Sequence, residues 1–406
     1  MKCGLLGRKL GHSYSPAIHA LLADYEYKLY EKEPEELEDF LKNGDFHGLN
    51  VTIPYKKAVV PYCAELSPLA KELGSVNTLV RRADGSLYGD NTDAWGFRST
   101  VERMQLDCSG KKVLVLGSGG ASVTVQAVMR HMGANVVVIS RSGPDNYTNL
   151  ERHADAQILV NATPVGMYPN NLETPVNLDR LPKLEAVLDL VYNPTRTQLI
   201  LDAEARNIPC ESGLFMLVGQ AVRASEIWTD RTIPAETQTK VWETVGALMR
   251  NVILVGMPGS GKTTIGTALG EALGRTFLDA DVVFSQTHGP SGQYILDHGE
   301  EAFRREETKS LAEVCCRSGL VFATGGGAVT RPENYNHLHQ NGTIVWIQRD
   351  LEKLPTKGRP LSQKHGVEAI YAKRRPMYAQ FADVVADNNG SVEETVTQIL
   401  KKLHLG

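Results

Sequence analysis

Lys262 and Thr263 close the run Gly256-Met-Pro-Gly-Ser-Gly-Lys-Thr263, whose spacing, G-x-x-x-x-G-K-S/T, is that of a phosphate-binding loop. Val252–Val255 before it is an unbroken apolar run, as suits a parallel strand buried on both faces. Glycines let backbone N–H groups turn inward around phosphate oxygens, and the next helix presents its positive end to them. Gly259, Ser260, Gly261 and Thr264 complete the cradle, Lys262 can reach the β/γ-phosphates, and the Thr263 hydroxyl suits Mg²⁺. A glycine-rich turn that binds nothing is the plainer alternative. The agreement of strand, loop and helix argues against it.

A second set of chemically capable residues lies in the first hundred. Ser13 and Ser15 sit in GHSYSP, Thr52 and Lys56 in NVTIPYKK, Asn77 in GSVNTL and Asp93 in GDNTDAWG. Each falls just beyond a short apolar stretch, such as Cys3–Gly7 or Gly48–Ile53, where an open α/β sheet binds its ligands. Hydroxyls, an amide, one Lys and one Asp suit a small polyhydroxylated acid. Each has a plainer role: Ser15 as N-cap of a helix over Pro16–Tyr25, Asp93 as cap of a helix from Ala94, Lys56 as a surface lysine. Together they favour a site.

Between these sets lies a βαβ pattern. Strand Lys112–Leu116 leads into Gly117-Ser-Gly-Gly-Ala-Ser122, a helix through Gln126–Met132 and strand Asn135–Ile139. It departs from G-x-G-x-x-G in having Ser122 at the third glycine position. The second strand ends in Ser140-Arg141-Ser142, which suits the 2′-phosphate of NADP, whereas an acidic residue would suit NAD. A solvated arginine is the alternative. Ala156–Asn161 and Ala186–Leu190 read as further strands ending in polar loops. The helix bearing Gln220 is expected to return to the first lobe and close its cleft.

These elements imply an α/β architecture of two nucleotide-binding halves. Residues 1–95 form one lobe, completed by 214–245; residues 96–213 form a Rossmann-like domain; residues 250–406 form a P-loop domain with a parallel sheet. The join, 233–251, has helical composition and no Gly/Ser run, so it reads as stiff. The 406 residues are 42% hydrophobic with net charge −4 and no basic block, which argues against a nucleic-acid partner. No apolar run reaches membrane-spanning length, and the N-terminus lacks a signal-peptide core. Six cysteines without C-x-x-C spacing read as reduced thiols, so the expectation is a cytoplasmic protein of small-molecule partners, with a homo-oligomer left open.

The first half resembles the shikimate dehydrogenases. GHSYSP, NVTIPYK, GSVNTL, NTDAWG, GSGGAS, NATPVGM, DLVYNPTRT and GLFMLVGQ fall in family order over nearly all of residues 1–245. The resemblance implies reversible NADPH-dependent reduction of 3-dehydroshikimate to shikimate. It implies that Ser13, Ser15, Thr52, Asn77, Tyr192 and Gln220 hold the substrate and that Lys56 and Asp93 are the catalytic pair, Asp93 also binding substrate. Gly117, Ser118, Gly119, Gly120, Ala121 and Arg141 would hold NADP(H), with Leu190 and Gly213 near the nicotinamide. After Arg141 this chain has Gly143-Pro-Asp145 where the family commonly has more basic residues.

The second half resembles shikimate kinase, of nucleoside-monophosphate-kinase-like fold, through FLDAD, GEEAFRREE, ATGGGAV, KGRPL and RRPMYAQFAD. The resemblance implies ATP on the P-loop, with Mg²⁺ at Thr263 and Asp279. Asp281, Arg304, Gly326 and Arg374 would hold shikimate, and Arg359 would reach the ATP phosphates from the lid. Lys262, Asp281 and Arg359 would be catalytic. The lid has Lys353 and Lys357 where the family carries another Arg. Two other readings stay open: a quinate/shikimate dehydrogenase fused to a different small-molecule kinase, and a non-catalytic pathway sensor. A kinase of neutral sugars has no need of paired Arg304 and Arg374. A sensor has no need of Lys56, Asp93, Lys262 and Asp281 together.

Overall fold

The computed structural model describes residues 1–11, 13–355 and 366–405. Lys357 and Arg359 of the expected lid lie outside the described residues. The chain forms two compact units. One comprises Met1–Gly166, Thr174–Tyr192 and Asp202–Val245; the other comprises Met167–Glu173, Asn193–Leu201 and Gly246–Gly406.

The first unit contains two sheets. The first has β1 (Lys2–Gly7), β2 (Glu26–Glu31), β3 (Gly48–Val51), β4 (Glu65–Leu66), β5 (Thr78–Arg81) and β6 (Leu87–Asp90), in the order β2-β1-β3-β5-β6-β4. β1 is parallel to β2 and β3, while β5 is antiparallel to β3 and β6. The second sheet has β7 (Lys112–Leu116), β8 (Asn135–Ile139), β9 (Ile158–Asn161), β10 (Ala186–Asp189) and β11 (Cys210–Glu211), all parallel, in the order β11-β10-β9-β7-β8. Val113–Leu116 and Ile158–Val160 are buried throughout, which explains their uninterrupted apolar sequences.

Helix α1 (Ser15–Leu22) follows β1, α2 (Thr92–Arg103) follows β6, α3 (Gly120–His131) follows β7, and α4 (Leu214–Thr229) returns after β11. α4 lies against α2 and α1. Its Trp228 stacks on His19, donates from Nε1 to the Leu79 carbonyl at 3.0 Å and fills the space beside Gly48. The expected return of this helix to the first lobe is observed. Two expected caps are not. Tyr14 is the N-cap of α1, so Ser15 lies inside the helix and is buried; Asn91 is the N-cap of α2, so Asp93 lies in its first turn. Pro16 fixes the first turn from inside the helix and leaves Ser15 to face inward.

The expected junction forms helix α5 (Ala235–Met249), and the division between the units falls within it, at Val245/Gly246. The second unit has one parallel sheet of β12 (Asn251–Val255), β13 (Phe277–Asp279), β14 (Val321–Ala323), β15 (Gly342–Gln348) and β16 (Val384–Asp387), in the order β13-β14-β12-β15-β16. α6 (Lys262–Leu273), α7 (Ala280–His288), α8 (Glu300–Cys315), α9 (Val367–Phe381) and α10 (Val392–Leu403) surround it. α10 opens on a capping box, Ser391 with Glu394. No helix among the described residues is long and apolar enough to cross a membrane, and the six cysteines are all free.

In each sheet the first strand in sequence stands between two later ones: β1 between β2 and β3, β7 between β8 and β9, and β12 between β14 and β15. The crevice at the carboxyl end of such a strand binds ligands in open α/β sheets. Those ends are Gly7, Leu116 and Val255, the entrances to the three polar loops of the sequence. A Cβ at Gly48 would lie 2.4 Å from the Trp228 ring. Gly48→Ala is therefore expected to cost about 1–3 kcal/mol by overpacking, seen as a lower thermal midpoint for loss of the first unit's activity.

Candidate active sites

In the first unit the ends of β1, β3 and β5 and the start of α2 surround a cavity of about 290 Å³. Lys56 and Asp93 meet there, Nζ to Oδ2 at 2.6 Å, both partly shielded from solvent. Ser13, Ser15, Thr52 and Asn77 line the same cavity, as do Tyr192 and Gln220. The Asn77 Oδ1 accepts from the Thr92 backbone N–H at 2.7 Å and from the Thr92 and Thr78 hydroxyls at 3.2 Å. Its amide nitrogen is left outside those bonds as a donor. Gln220 is held the opposite way, since its Nε2 donates to the Leu217 carbonyl at 2.8 Å, leaving its Oε1 outside that bond. Burial pushes the Tyr192 phenol up, and its ring meets Tyr14 edge-on at 6.3 Å.

Leu190, Gly213 and Ala121 bring the nucleotide-binding sheet to this cavity. A Cβ at Gly213 would lie 2.1 Å from the Leu190 carbonyl oxygen, so only glycine allows this approach. The Gly117–Gly120 loop and Arg141 do not line the cavity. Gly117, at φ +98°, turns the chain out of β7 beside Thr163, and α3 starts at Gly120. Ser122, at the third glycine position, is fully buried and donates to the Gly117 carbonyl at 2.6 Å. Its hydroxyl ties the first turn of α3 back to the loop. Arg141 is exposed at the end of β8.

In the second unit a cavity of about 540 Å³ lies over the P-loop. Gly259, Gly261, Lys262, Thr263 and Thr264 form one side of it. Ser260 sits behind this wall, buried, its carbonyl held by the Asn388 side chain at 2.7 Å. The Lys262 ammonium donates back to the Gly256 and Met257 carbonyls at 3.0 and 3.1 Å, curled over the loop it closes. The Thr263 hydroxyl donates to Asp279 Oδ2 at 2.7 Å. Asp279 also caps α7, accepting from the Asp281 backbone N–H at 3.0 Å. A hydroxyl and a carboxylate beside a phosphate cradle form a hard oxygen donor set, which fits Mg²⁺ that keeps most of its waters.

The opposite wall holds Asp281, Arg304, Gly326 and Arg374. Arg304 is buried and forks between Glu307 at 2.5 Å and Glu300 at 3.3 Å. Arg374 donates to the Gly326 carbonyl at 3.0 Å, where the Tyr378 hydroxyl also bonds, at 2.5 Å. Burial, with repulsion from Asp279, raises the Asp281 carboxyl above its ordinary value, against the pull of Lys262 and Arg304. Burial likewise raises Glu307, against the pull of Arg304. The glycines of ATGGGAV have a specific cause. A Cβ at Gly327 would lie 2.1 Å from Arg304 Nη2, and one at Gly325 would lie 2.2 Å from Glu307 Oε1.

Sequence reasoning left several wall residues without a role. Asn50 and Met216 line the first cavity; Ser291, Glu307 and Arg349 line the second. Glu307 had a signal, three residues along the helix from Arg304 on the same face. Arg349 had one too, since it directly follows a strand.

Fold and sites together define a two-part enzyme of small molecules: a two-lobed dinucleotide-dependent dehydrogenase followed by a P-loop phosphotransferase. Residues 5–79 match the family model for the shikimate dehydrogenase substrate binding domain, and residues 258–404 match the model for shikimate kinase. A shikimate dehydrogenase (NADP(+)) of Clostridium perfringens is 36% identical over 262 residues, 59% of this chain and 96% of the relative. One from Methanopyrus kandleri is 39% identical over 266 residues, 57% of this chain and 91% of the relative. Among solved structures, a chorismate mutase/shikimate 5-dehydrogenase fusion protein from Clostridium acetobutylicum is 33% identical with TM-score 0.58, covering 60% of this chain and 96% of that one. Shikimate 5-dehydrogenase of Thermus thermophilus, solved with NADP(H) and shikimate, is 31% identical with TM-score 0.55, covering 60% and 99%. The chain belongs to the shikimate dehydrogenase family, and its residues 258–404 are a shikimate kinase domain.

Removing Glu307 would leave Arg304 buried beside only its weaker partner. Glu307→Ala is expected to lower the stability of the second unit by about 3–5 kcal/mol. Denaturant titration of that unit's unfolding checks this, and a change below about 1 kcal/mol would show the pair to be dispensable.

Proposed function

We propose how this bifunctional shikimate-pathway enzyme, an NADP-dependent shikimate dehydrogenase joined to a shikimate kinase, divides its work. Residues 1–95 with 214–245 hold the substrate of the first reaction, residues 96–213 hold NADP(H), and residues 250–406 carry out the second reaction. The observation that supports this most directly is that each unit has polar groups of its own around its own cavity.

In the first reaction, bound NADPH supplies a hydride to the ring ketone of 3-dehydroshikimate. Negative charge then grows on the ketone oxygen. The Lys56 ammonium, steadied by Asp93 at 2.6 Å, stabilises that charge and delivers the proton. Asp93 has a second carboxylate oxygen to accept from a substrate hydroxyl. Ser13, Ser15, Thr52, Asn77, Tyr192 and Gln220 orient the ring and its carboxylate. Gly117–Ala121 and Arg141 hold the dinucleotide, with Arg141 on the 2′-phosphate.

In the second reaction shikimate lies between Asp281, Arg304, Gly326 and Arg374. Two guanidiniums suit its carboxylate, which a neutral sugar lacks. Asp281 orients the attacking hydroxyl and accepts its proton, a task that its raised affinity for protons favours. Lys262 turns from the loop carbonyls to the ATP phosphates. Mg²⁺ held by Thr263 and Asp279 supplies neutralising charge there.

The direct test is incubation with 3-dehydroshikimate, NADPH, ATP and Mg²⁺, with mass spectrometry for shikimate 3-phosphate. Absence of that product would overturn the two-step reading. Lys56→Ala is expected to lower dehydrogenase turnover by ~10²–10⁴ while kinase turnover on added shikimate stays within about twofold. Loss of both activities in a folded variant would show the sites to be coupled. Arg141→Ala is expected to weaken NADPH far more than NADH, measured as separate KM values; equal effects would remove Arg141 from the 2′-phosphate.

A further inference from the structure

We propose that Arg349 is a fixed phosphate-contacting residue of the kinase unit, holding the nucleotide's phosphate chain from the end of a strand. It directly follows β15, which lies beside the P-loop strand β12 in register Val255↔Trp346 and beside β16 in register Gln348↔Asp387. Two neighbouring strands thus hold the residues that lead into it. Its side chain lines the cavity together with Gly259, Gly261, Lys262 and Thr263.

The head group lies against the loop itself. A Cβ placed on Gly261 would stand 3.8 Å from Arg349 Nη1 and 2.3 Å from Asn388 Nδ2. An amide and a guanidinium thus stand on the same side of Gly261, whose own N–H lies at the start of α6.

The Arg349 Nε is buried and has no hydrogen-bond partner among the described residues. The other cations of the cavity are engaged: Lys262 on loop carbonyls, Arg304 on Glu307, Arg374 on Gly326. The adjacent acid, Asp350, is bound to Lys353 at 3.3 Å and to Asn389 at 3.1 Å. A guanidinium held beside an anion-binding loop with an unmatched donor is built for an anion that arrives with the ligand. A planar fork matches phosphate oxygens better than an ammonium does, and a charged hydrogen bond is stronger than a neutral one. The adjacent ligand is the nucleotide, so the anion is its phosphate chain rather than the acceptor's carboxylate.

This inference rests on the reading of the P-loop cavity as a nucleotide site. The test uses the full chain and two variants, Arg349→Met, which keeps an apolar stem, and Arg349→Lys, which keeps the charge. The probes are ADP and inorganic tripolyphosphate, each with Mg²⁺, in direct binding, together with KM for ATP and for shikimate. Arg349→Met is expected to weaken both probes and raise KM for ATP by about 10- to 100-fold, with KM for shikimate unchanged and Arg349→Lys recovering part of the loss. Affinity for both probes should also fall less steeply with salt in Arg349→Met than in the unmodified chain. An unchanged denaturant midpoint for the second unit in both variants reports that this unit is folded. Weakening of ADP with no change for tripolyphosphate would place Arg349 on the nucleoside and overturn the proposal. Unchanged binding of both probes would overturn it as well. If the unmodified chain binds ADP but phosphorylates no shikimate, and Arg349→Met still weakens both probes, the acceptor assignment fails and the role of Arg349 stands.

Discussion

A charge taken out of water must find its partner inside the protein, and both sites depend on that requirement. Arg304 shows it most clearly. Its guanidinium is buried, so Glu307 must be buried with it, and the two heads together occupy space that side chains on Gly325 and Gly327 would fill. The glycine run of the second unit follows from that pair as much as from any ligand. Lys56 and Asp93 meet the same requirement in the first unit at lower cost, because both retain some contact with solvent. Lys262 satisfies it with backbone carbonyls, an arrangement a ligand phosphate can replace.

Topology then decides where these pairs can assemble. β1, β7 and β12 each stand where the order of their sheet reverses, so the loops after them open into crevices. The substrate residues follow β1, the dinucleotide loop follows β7 and the P-loop follows β12. One architectural rule is used three times with three different loops. The chemistry differs because the side chains around each crevice differ, not because the backbone plan does.

Much of this was legible in the chain. The P-loop and its flanking strand carry their meaning locally, since strand, glycines, lysine and hydroxyl are contiguous. Lys56 and Asp93 were legible only as members of a set, and their 2.6 Å separation depends on how β3, β6 and α2 come together. Ser15 was misread as a cap because a serine before proline is equally at home one residue further into a helix, a shift that local propensity does not resolve. Asn50, Met216 and Ser291 carried no signal, being ordinary residues that reach a cavity through long-range packing. Arg349 is the instructive case: its position after a strand was visible, but that its Nε has no partner among the described residues is a property of the fold.

The return of α4 to the first lobe has a bearing on how the molecule is made. Trp228 bonds to Leu79 across 149 residues of chain and fills the hollow beside Gly48 and His19. The amino-terminal lobe is the first to leave the ribosome, yet its core is finished by a helix made more than a hundred residues later. Until then that hollow stays open and apolar, while the intervening nucleotide-binding sheet has all its strands and can close first. The order in which the lobes are made thus differs from the order in which their strands and helices become complete. A ribosome that stalls before α4 leaves a folded middle and an unfinished beginning, a species whose exposed lobe invites aggregation or a chaperone.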